Sequence, residues 1–361
     1  MSTETPGLAP KIERFLRLMT SRGASDFHLT VGRPPMLRVS GAMEPIRYRT
    51  LLEADYVDLV RPIVPPRLWE EFQATGDVDL SYEVPGLARF RVNLFRQQRG
   101  SGAVFRVIPT KIMTLEQLGM PEPVRRLAAM ESGLVLVTGP TGSGKSTTLA
   151  AVINLINETK NYHVITIEDP IEFVHANKKC LIHQREIGTH ATGFAEALKS
   201  AGREDPDLVL VGEMRDLETI SMALSAAEKG TIVFGTLHTN NASKTVDRII
   251  SVFPASEQDG VRNVLGETLR AVVAQQLIPK IGGGRVAAIE ILFSSPAIGN
   301  MIREGKSGQI NSAIQTGVKH GMIDMDSSIR ALFDAGKVTA RAAYDKAIDK
   351  ERFKDLLEGG G

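Results

Sequence analysis

The chain has 361 residues, 42% of them hydrophobic, and a net charge of +1 at pH 7. The length predicts two or three globular domains, and the near-zero net charge gives no general affinity for nucleic acid or membranes. The single cysteine, Cys180, excludes an internal disulfide and any zinc site built from several thiolates of one chain, and it suits a reducing cytoplasm. The N-terminal residues lack the features of a secretory signal, and no segment reaches the about 18 apolar residues of a membrane span.

The first 110 residues are predicted to form a small α+β domain. Apolar residues recur at helical spacing over 11–22, and prolines interrupt a second helical stretch over 51–72. Short apolar runs between turn residues predict strands over 27–31, 36–39, 89–95 and 103–108.

A proline- and glycine-containing linker is predicted over 111–123, followed by an α/β domain over 124–361. Strands are predicted over 134–138, 163–167, 208–211 and 231–236, and helices over 145–158, 193–201 and 217–229. Because continuous apolar strands alternate with helices, we expect a parallel sheet covered on both faces. From about residue 256 the chain is predicted to be mostly helical, with one strand over 286–293.

The most informative segment joins the first of these strands to the first of these helices. It has the glycine and lysine spacing of a phosphate-binding loop, in the order strand, loop, helix. We expect its backbone N–H groups and Lys145 to bind the phosphates of ATP, and the Ser146 hydroxyl to bind Mg²⁺. The alternative is a strand–loop–helix corner that binds nothing. The predicted nucleotide-binding residues are Gly139, Pro140, Thr141, Gly142, Ser143, Gly144, Lys145, Ser146 and Thr147.

Two further strands end in carboxylates, at the sheet edge where α/β proteins bind ligands. Glu213 follows the strand over 208–211, and we expect it to support Mg²⁺, partly through water, or to orient the attacking water. Glu168 directly follows the strand predicted over 163–167 and is the predicted general base. The alternative for Glu213 is a surface glutamate at a strand end. The alternative for the acidic segment from Glu168 to Glu172 is a purely structural role, such as capping of the following turn by Asp169.

A fourth strand end supplies His238, which we expect to detect the γ-phosphate by hydrogen bonding. The alternative is a histidine satisfied by local contacts. The remaining histidines considered lack metal-ligand spacing and are predicted to be structural or surface residues; they are His163, His175, His183 and His190.

Five arginines and Lys111 lie between Val84 and Leu115, a segment that contains no acidic residue. Because arginines without carboxylate partners favour an anion, we expect some of them to compensate phosphate charge, across a subunit interface. The alternatives are a solvated basic hairpin and contact with RNA or DNA. The arginines are Arg89, Arg91, Arg96, Arg99 and Arg106.

These segments together resemble the secretion ATPases of the type II and type IV pilus superfamily, most closely its retraction (twitching motility) branch. GPTGSGKSTT matches the Walker A motif, ITIEDPIEF the Asp box, REDPDLVLVGEMRD the Walker B motif and GTLHTNNASKTVDRI the His box. SRGASDFHL and GRPPMLRVSG are similar to the start of the family. The likeness covers nearly the whole chain.

The resemblance implies a PAS-like N-terminal domain, a RecA-like C-terminal domain and a homohexamer that holds ATP between its domains. It also implies that Arg91 and Arg106 reach the nucleotide phosphates. The expected activity is Mg²⁺-dependent ATP hydrolysis that drives pilus disassembly at the cytoplasmic face of the inner membrane, with a membrane platform protein as partner and no nucleic acid. Extension and secretion ATPases typically carry a four-cysteine zinc motif, which this chain lacks, so retraction is favoured.

Two departures from the family pattern leave alternatives open. Gly299 replaces an arginine of the retraction-branch motif Ala-Ile-Arg-Asn-Leu-Ile-Arg-Glu, and Gly202 replaces a leucine. The alternatives are an accessory retraction paralogue, an extension or secretion ATPase, a nucleic-acid translocase and a regulatory subunit that binds ATP without useful turnover.

Overall fold

The computed structural model describes residues 10–39, 41–108 and 112–358, and its internal contacts divide the chain into two compact units, with the division after Lys111. Each unit has its own sheet and its own hydrophobic core. The predicted linker over 111–123 begins outside the described residues, and its remaining residues belong to the second unit. The domain boundaries therefore stay predictions.

The first unit contains, within its described residues, three α-helices against an antiparallel six-stranded sheet. The strand order is β3-β2-β1-β6-β5-β4. The helices are α1 (Ile12–Ser21), α2 (Glu53–Val60) and α3 (Pro66–Thr75). The strands are β1 (Asp26–Thr30), β2 (Met36–Val39), β3 (Ala42–Pro45), β4 (Asp77–Val84), β5 (Ala88–Gln97) and β6 (Gly100–Ile108).

The predicted helices and four predicted strands of this unit are confirmed, and the two edge strands were not predicted. β3 is short and fully exposed, so no apolar pattern marks it. The outer face of β4 carries charged side chains, which is common at a sheet edge because charge discourages further strand pairing. Core residues alternate along β5, where Phe90, Val92 and Leu94 are buried and Arg91 lies on the opposite face.

The second unit has a seven-stranded sheet in the order β13-β12-β7-β11-β10-β8-β9. Its strands are β7 (Gly133–Thr138), β8 (His163–Glu168), β9 (Leu181–Glu186), β10 (Leu208–Val211), β11 (Ile232–Leu237), β12 (Leu269–Pro279) and β13 (Arg285–Phe293). All neighbouring pairs are parallel except β12 and β13. Every residue of β7, β10 and β11 is buried, which fits strands covered on both faces.

The helices of the second unit flank this sheet and fill its C-terminal part. They are α4 (Lys145–Thr159), α5 (Phe194–Ala201), α6 (Leu217–Glu228), α7 (Ala242–Ser251), α8 (Gln258–Thr268), α9 (Pro296–Arg303), α10 (Ile310–Thr316), α11 (Met325–Asp334), α12 (Ala340–Lys346) and α13 (Lys354–Glu358). Side-chain caps begin five of them, at Asp216, Asn241, Ser295, Asp324 and Thr339. No helix of the described ranges is long and apolar enough to cross a membrane.

The strands and helices predicted with bounds in the second unit are all present, but two further strands were not predicted. The strand predicted over 286–293 is confirmed as β13, but the segment expected to be helical also contains β12. β12 is an apolar run whose conformation is decided by its two neighbours, β7 and β13. The sheet is therefore mixed at this edge, and β9, a polar edge strand, was also missed.

Candidate active site

The strand register brings the predicted site segments to one edge of the second sheet. Thr138 at the end of β7 lies opposite Leu237 of β11 and Ala274 of β12. Val211 at the end of β10 lies opposite Ile167 of β8. Since these parallel strands all end here, the glycine loop, Glu168, Glu213 and His238 emerge at the same edge.

The loop from Gly139 to Gly144 has the conformation that its glycines permit. Gly139 and Gly144 have φ values of 142° and 91°, which side-chain-bearing residues rarely adopt. A Cβ on Gly139 would lie 2.1 Å from the backbone oxygen of Gln275 in β12, so a larger residue does not fit. The loop leads directly into α4, whose N-terminal N–H groups and dipole favour an anion.

Lys145 lies across this loop. Its Nζ donates to the carbonyl oxygens of Gly139 at 2.8 Å and Pro140 at 3.2 Å. Partial burial lowers the pKa of Lys145, and the nearby carboxylates of Glu213 and Glu172 act to raise it. Burial is the larger effect, so the net pKa of Lys145 is lowered. Inside the loop, the buried hydroxyl of Ser143 has no hydrogen-bond partner among the described residues. Glycine-lined backbone, a lysine and an unused hydroxyl together fit a phosphate group.

Two neighbouring side chains contact the Glu213 carboxylate. Its Oε1 accepts a hydrogen bond from His238 Nε2 at 2.7 Å and another from Arg215 Nε. Burial raises the pKa of Glu213, but the hydrogen bonds from Arg215 and His238 outweigh it, and the net pKa is lowered. The carboxylate is therefore ionised at neutral pH, as a metal-supporting ligand must be.

Glu168 has the opposite electrostatic character. Its Oε1 accepts hydrogen bonds from Thr166 Oγ1 at 2.6 Å and Gln184 Nε2 at 3.2 Å. Burial dominates and raises the pKa of Glu168, although both donors act to lower it. Two carboxylates at one sheet edge with pKa values displaced in opposite directions fit different roles, one as a permanent anion and the other as an acceptor of a proton.

Three polar residues that were given no role in the sequence-based prediction belong to this site. Arg215 and Gln184 bond the two glutamates, and the Glu172 carboxylate lies near enough to Lys145 and Glu168 to affect both pKa values. Arg215 and Glu172 could have been noticed, because each lies within five residues of a predicted carboxylate. Gln184 could not, because it lies on the unpredicted strand β9.

The arginine segment of the first unit requires a correction. Arg91 and Arg106 face each other in register on β5 and β6, but neither lacks a carboxylate partner. Arg106 Nε donates to Asp26 Oδ1 at 2.7 Å, and Arg91 Nε is 3.7 Å from Asp79 Oδ1. Both acids come from strands outside the arginine-rich segment. The Arg106 side chain is 69% exposed and the Arg91 side chain is 46% exposed, so both are accessible to a further anion.

The four histidines predicted to be structural or surface residues bond within the protein or are buried. His163 Nε2 lies 2.9 Å from His183 Nδ1, and His190 Nδ1 accepts from the backbone of Glu186. His175 is buried, which lowers its pKa to about 4. No group of three or more metal-ligating side chains occurs among the residues that the structure describes.

Comparison with known proteins adds an independent line of evidence. A family profile described as "Type II/IV secretion system protein" matches residues 10–319, a range that includes every site residue discussed above. The chain is 53% identical over 342 residues to the "Type IV pilus retractation ATPase PilT" of Pseudomonas aeruginosa, covering 95% of this chain and 99% of that protein. It is 52% identical over 318 residues to a "Twitching motility protein" of Neisseria gonorrhoeae, covering 88% and 85%, respectively.

A solved structure shares the fold over nearly the same range. The crystal structure of the pilus retraction motor PilT with bound ADP matches with a TM-score of 0.89 and 43% sequence identity. The match covers 95% of this chain and 98% of the other. Both units of the fold are therefore those of that ATPase, a RecA-like phosphate-loop domain preceded by a small PAS-like domain.

Proposed function

This chain belongs to the Type II/IV secretion system protein family, and we propose on that basis that it is an ATP-hydrolysing motor that powers type IV pilus retraction. The observation that carries the proposal is the convergence of a glycine loop, Lys145 and two glutamates of opposite pKa displacement at one sheet edge. These are the groups that phosphoryl transfer requires: a phosphate cradle, charge compensation and an acceptor for the proton of water.

Each residue has a separate proposed role. The loop from Gly139 to Gly144 and the first turn of α4 through Thr147 bind the phosphates, with Lys145 leaving the Gly139 and Pro140 carbonyls to reach the β- and γ-phosphates. Glu168 accepts a proton from the attacking water. His238, which holds Glu213 through Nε2, responds to the γ-phosphate and transmits that response to Glu213.

The donor set at this edge also fits Mg²⁺. Ser146 follows Lys145 in the first turn of α4, and Glu213 is an ionised carboxylate of the kind that supports Mg²⁺ through water. When bound, the ion neutralises charge on the β- and γ-phosphates. Arg91 and Arg106 are proposed to compensate phosphate charge as well, which requires Arg106 to exchange its bond with Asp26 for a phosphate oxygen.

We further propose that the chain works as a homohexamer at the cytoplasmic face of the inner membrane, against a membrane platform protein. The domain division proposed for the motor is 1–110, a linker over 111–123, and the ATPase domain over 124–361. These points rest on the membership of the family and on the similarity to retraction ATPases.

ATP turnover by the purified chain tests the catalytic assignment. We expect Lys145→Ala and Glu213→Gln each to lower kcat/KM by at least about a hundredfold, since each removes a charged group from the phosphate site. Glu228→Gln, at the exposed end of α6, is the matched control and should leave turnover unchanged. Near-normal hydrolysis by either site variant would remove that residue from the mechanism.

The direction of force is tested in cells that lack this chain. Loss of a retraction motor leaves abundant surface pili and abolishes twitching, whereas loss of an extension motor leaves cells without pili. Complementation with the Lys145→Ala chain should fail, and complementation with the Glu228→Gln chain should restore twitching. Cells without surface pili would contradict the retraction assignment while leaving the ATPase assignment intact.

A further inference from the structure

Gln275 is a buried polar residue at the level of the phosphate loop, on the strand that sequence patterns did not reveal. It follows Ala274, which pairs with the last residue of β7, and is therefore adjacent to the first loop residue, Gly139. Its side chain is almost fully buried, with 2% of the residue exposed. A glutamine is rarely placed in such a position unless its amide is fully bonded, because burying an unbonded amide is unfavourable.

The side-chain amide of Gln275 makes one hydrogen bond to the phosphate loop and one to α4, the helix that follows the loop. Nε2 donates to the Ser143 carbonyl oxygen at 2.7 Å, and Oε1 accepts from Thr148 Oγ1 at 2.8 Å. Thr148 is itself fully buried in α4. One side chain from β12 therefore fixes the position of the loop relative to the helix N-terminus.

The loop lies directly against this residue at both of its ends. A Cβ on Gly139 would be 2.1 Å from the Gln275 backbone oxygen, and a Cβ on Gly144 would be 2.8 Å from Gln275 Nε2. The glycines at 139 and 144 are therefore needed for contact with β12 as well as for their positive φ angles.

The bond to Ser143 determines where the next N–H group points. In a planar trans peptide, the C=O and N–H bonds are antiparallel, and the peptide between Ser143 and Gly144 is trans. Since the Ser143 carbonyl points toward Gln275, the Gly144 N–H points away from β12, toward the side of the loop where a phosphate is proposed to bind. Rotation of this peptide would turn the N–H group away from the phosphate.

We propose that Gln275 is a positioning residue for nucleotide binding: its amide holds the Ser143–Gly144 peptide so that the loop N–H groups face the phosphates. The inference rests on the proposed function, because it assumes that the loop binds a nucleotide. Gln275 does not contact the reacting atoms in this arrangement, so its loss weakens phosphate binding more than it slows the chemical step.

The test compares Gln275→Met with Gln276→Met in the full-length chain. Methionine has nearly the volume of glutamine, and it removes both hydrogen bonds of the side-chain amide. Gln276 is the matched control, since it is the adjacent residue on the opposite face of β12 and bonds the Lys346 carbonyl in the C-terminal part of the unit. The measurements are the Kd of ADP with Mg²⁺, the KM and kcat for ATP, and the Tm of each variant.

We expect Gln275→Met to raise the Kd of ADP and the KM for ATP by about tenfold, while kcat changes by less than about threefold. Gln276→Met should leave the Kd and KM within about twofold of the unaltered chain. A Gln275→Met chain with a lower Tm and unchanged Kd and KM would show that Gln275 is only a structural core residue, and would overturn the inference.

Thr148 provides a second pair of variants should Gln275→Met fold poorly. Thr148→Val removes the hydroxyl that orients the Gln275 amide, and Thr148→Ser keeps it. Weaker ADP binding by the valine variant alone supports the inference, and equal binding by both variants contradicts it. If the unaltered chain fails to bind ADP, the proposed function fails together with this inference, a result distinguishable from failure of the inference alone.

Discussion

At the scale of single residues, the site depends on how neighbouring groups set the charge of two glutamates. Glu168 ends β8 and Glu213 lies two residues after the neighbouring strand β10, yet the pKa of Glu213 is lowered and that of Glu168 is raised. For both, burial favours the neutral acid. The hydrogen bonds from Arg215 and His238 reverse that effect at Glu213, whereas the hydrogen bonds from Thr166 and Gln184 are too weak to reverse it at Glu168. The opposite pKa displacements of the two carboxylates therefore follow from their hydrogen-bond partners, and they support the separate roles proposed for them.

The pH dependence of turnover tests the role of Glu168 as base. A base must be deprotonated, so kcat should fall as pH decreases through its raised pKa. Thr166→Val removes the donor that lowers this pKa, and we expect the acidic limb of the kcat profile to move to higher pH. Thr268→Val, which removes a hydroxyl bonded only to a helix carbonyl, is the control. An acidic limb unmoved by Thr166→Val would contradict the assignment.

At the scale of elements, the unusual Gly299 is explained by a helix crossing. A Cβ at Gly299 in α9 would lie 2.6 Å from the Gly266 carbonyl oxygen in α8, and the reverse distance, from a Cβ at Gly266 to the Gly299 oxygen, is 2.9 Å. The two glycines allow the helix backbones to approach closely, which offsets the intrinsic helix penalty of about 1 kcal/mol for glycine. A Cβ at Gly202 would meet nothing closer than 3.7 Å, and nothing in the structure requires glycine there.

Thermal unfolding of alanine variants tests this explanation. Gly299→Ala gains helix propensity but forces the two helix backbones apart, and we expect a net loss of about 1–2 kcal/mol in the free energy of unfolding. Gly260→Ala is the matched control, because Gly260 is an exposed position of α8 with nothing within 4 Å of its added Cβ. It should gain about 0.5–1 kcal/mol. A Gly299→Ala chain more stable than the unaltered one would disprove a tight crossing.

At the scale of the whole molecule, each unit has an independent core. The buried cluster of the first unit lies within residues 12–105, and those of the second unit lie within residues 115–353. The phosphate loop, both glutamates and His238 are all in the second unit, whereas Arg91 and Arg106 are in the first. If the proposed roles are correct, truncation after Lys111 should separate binding of the nucleotide from its hydrolysis.

We expect the fragment 112–361 to fold and bind ADP but to hydrolyse ATP at least about tenfold more slowly than the full chain, because it lacks the arginines that are proposed to compensate phosphate charge. Arg91→Ala and Arg106→Ala in the full chain should reproduce the loss, measured as kcat, while the Tm of each variant reports on lost pairing with Asp79 and Asp26. Arg99→Ala, on the exposed turn between β5 and β6, is the control. Full turnover by the fragment would eliminate both arginines from the mechanism.

The sequence by itself determined the phosphate loop, the carboxylates at the strand ends and most helices and strands of the α/β core, because these depend on residues close together along the chain. Only the tertiary structure decided the conformation of β12, which two neighbouring strands impose, and the partner of Arg106, since Asp26 is 80 residues away. The same holds for Gln275, which bonds a loop residue 132 positions before it. Local spacing specifies which chemical groups are available, whereas contacts between distant segments specify the charge and orientation of those groups.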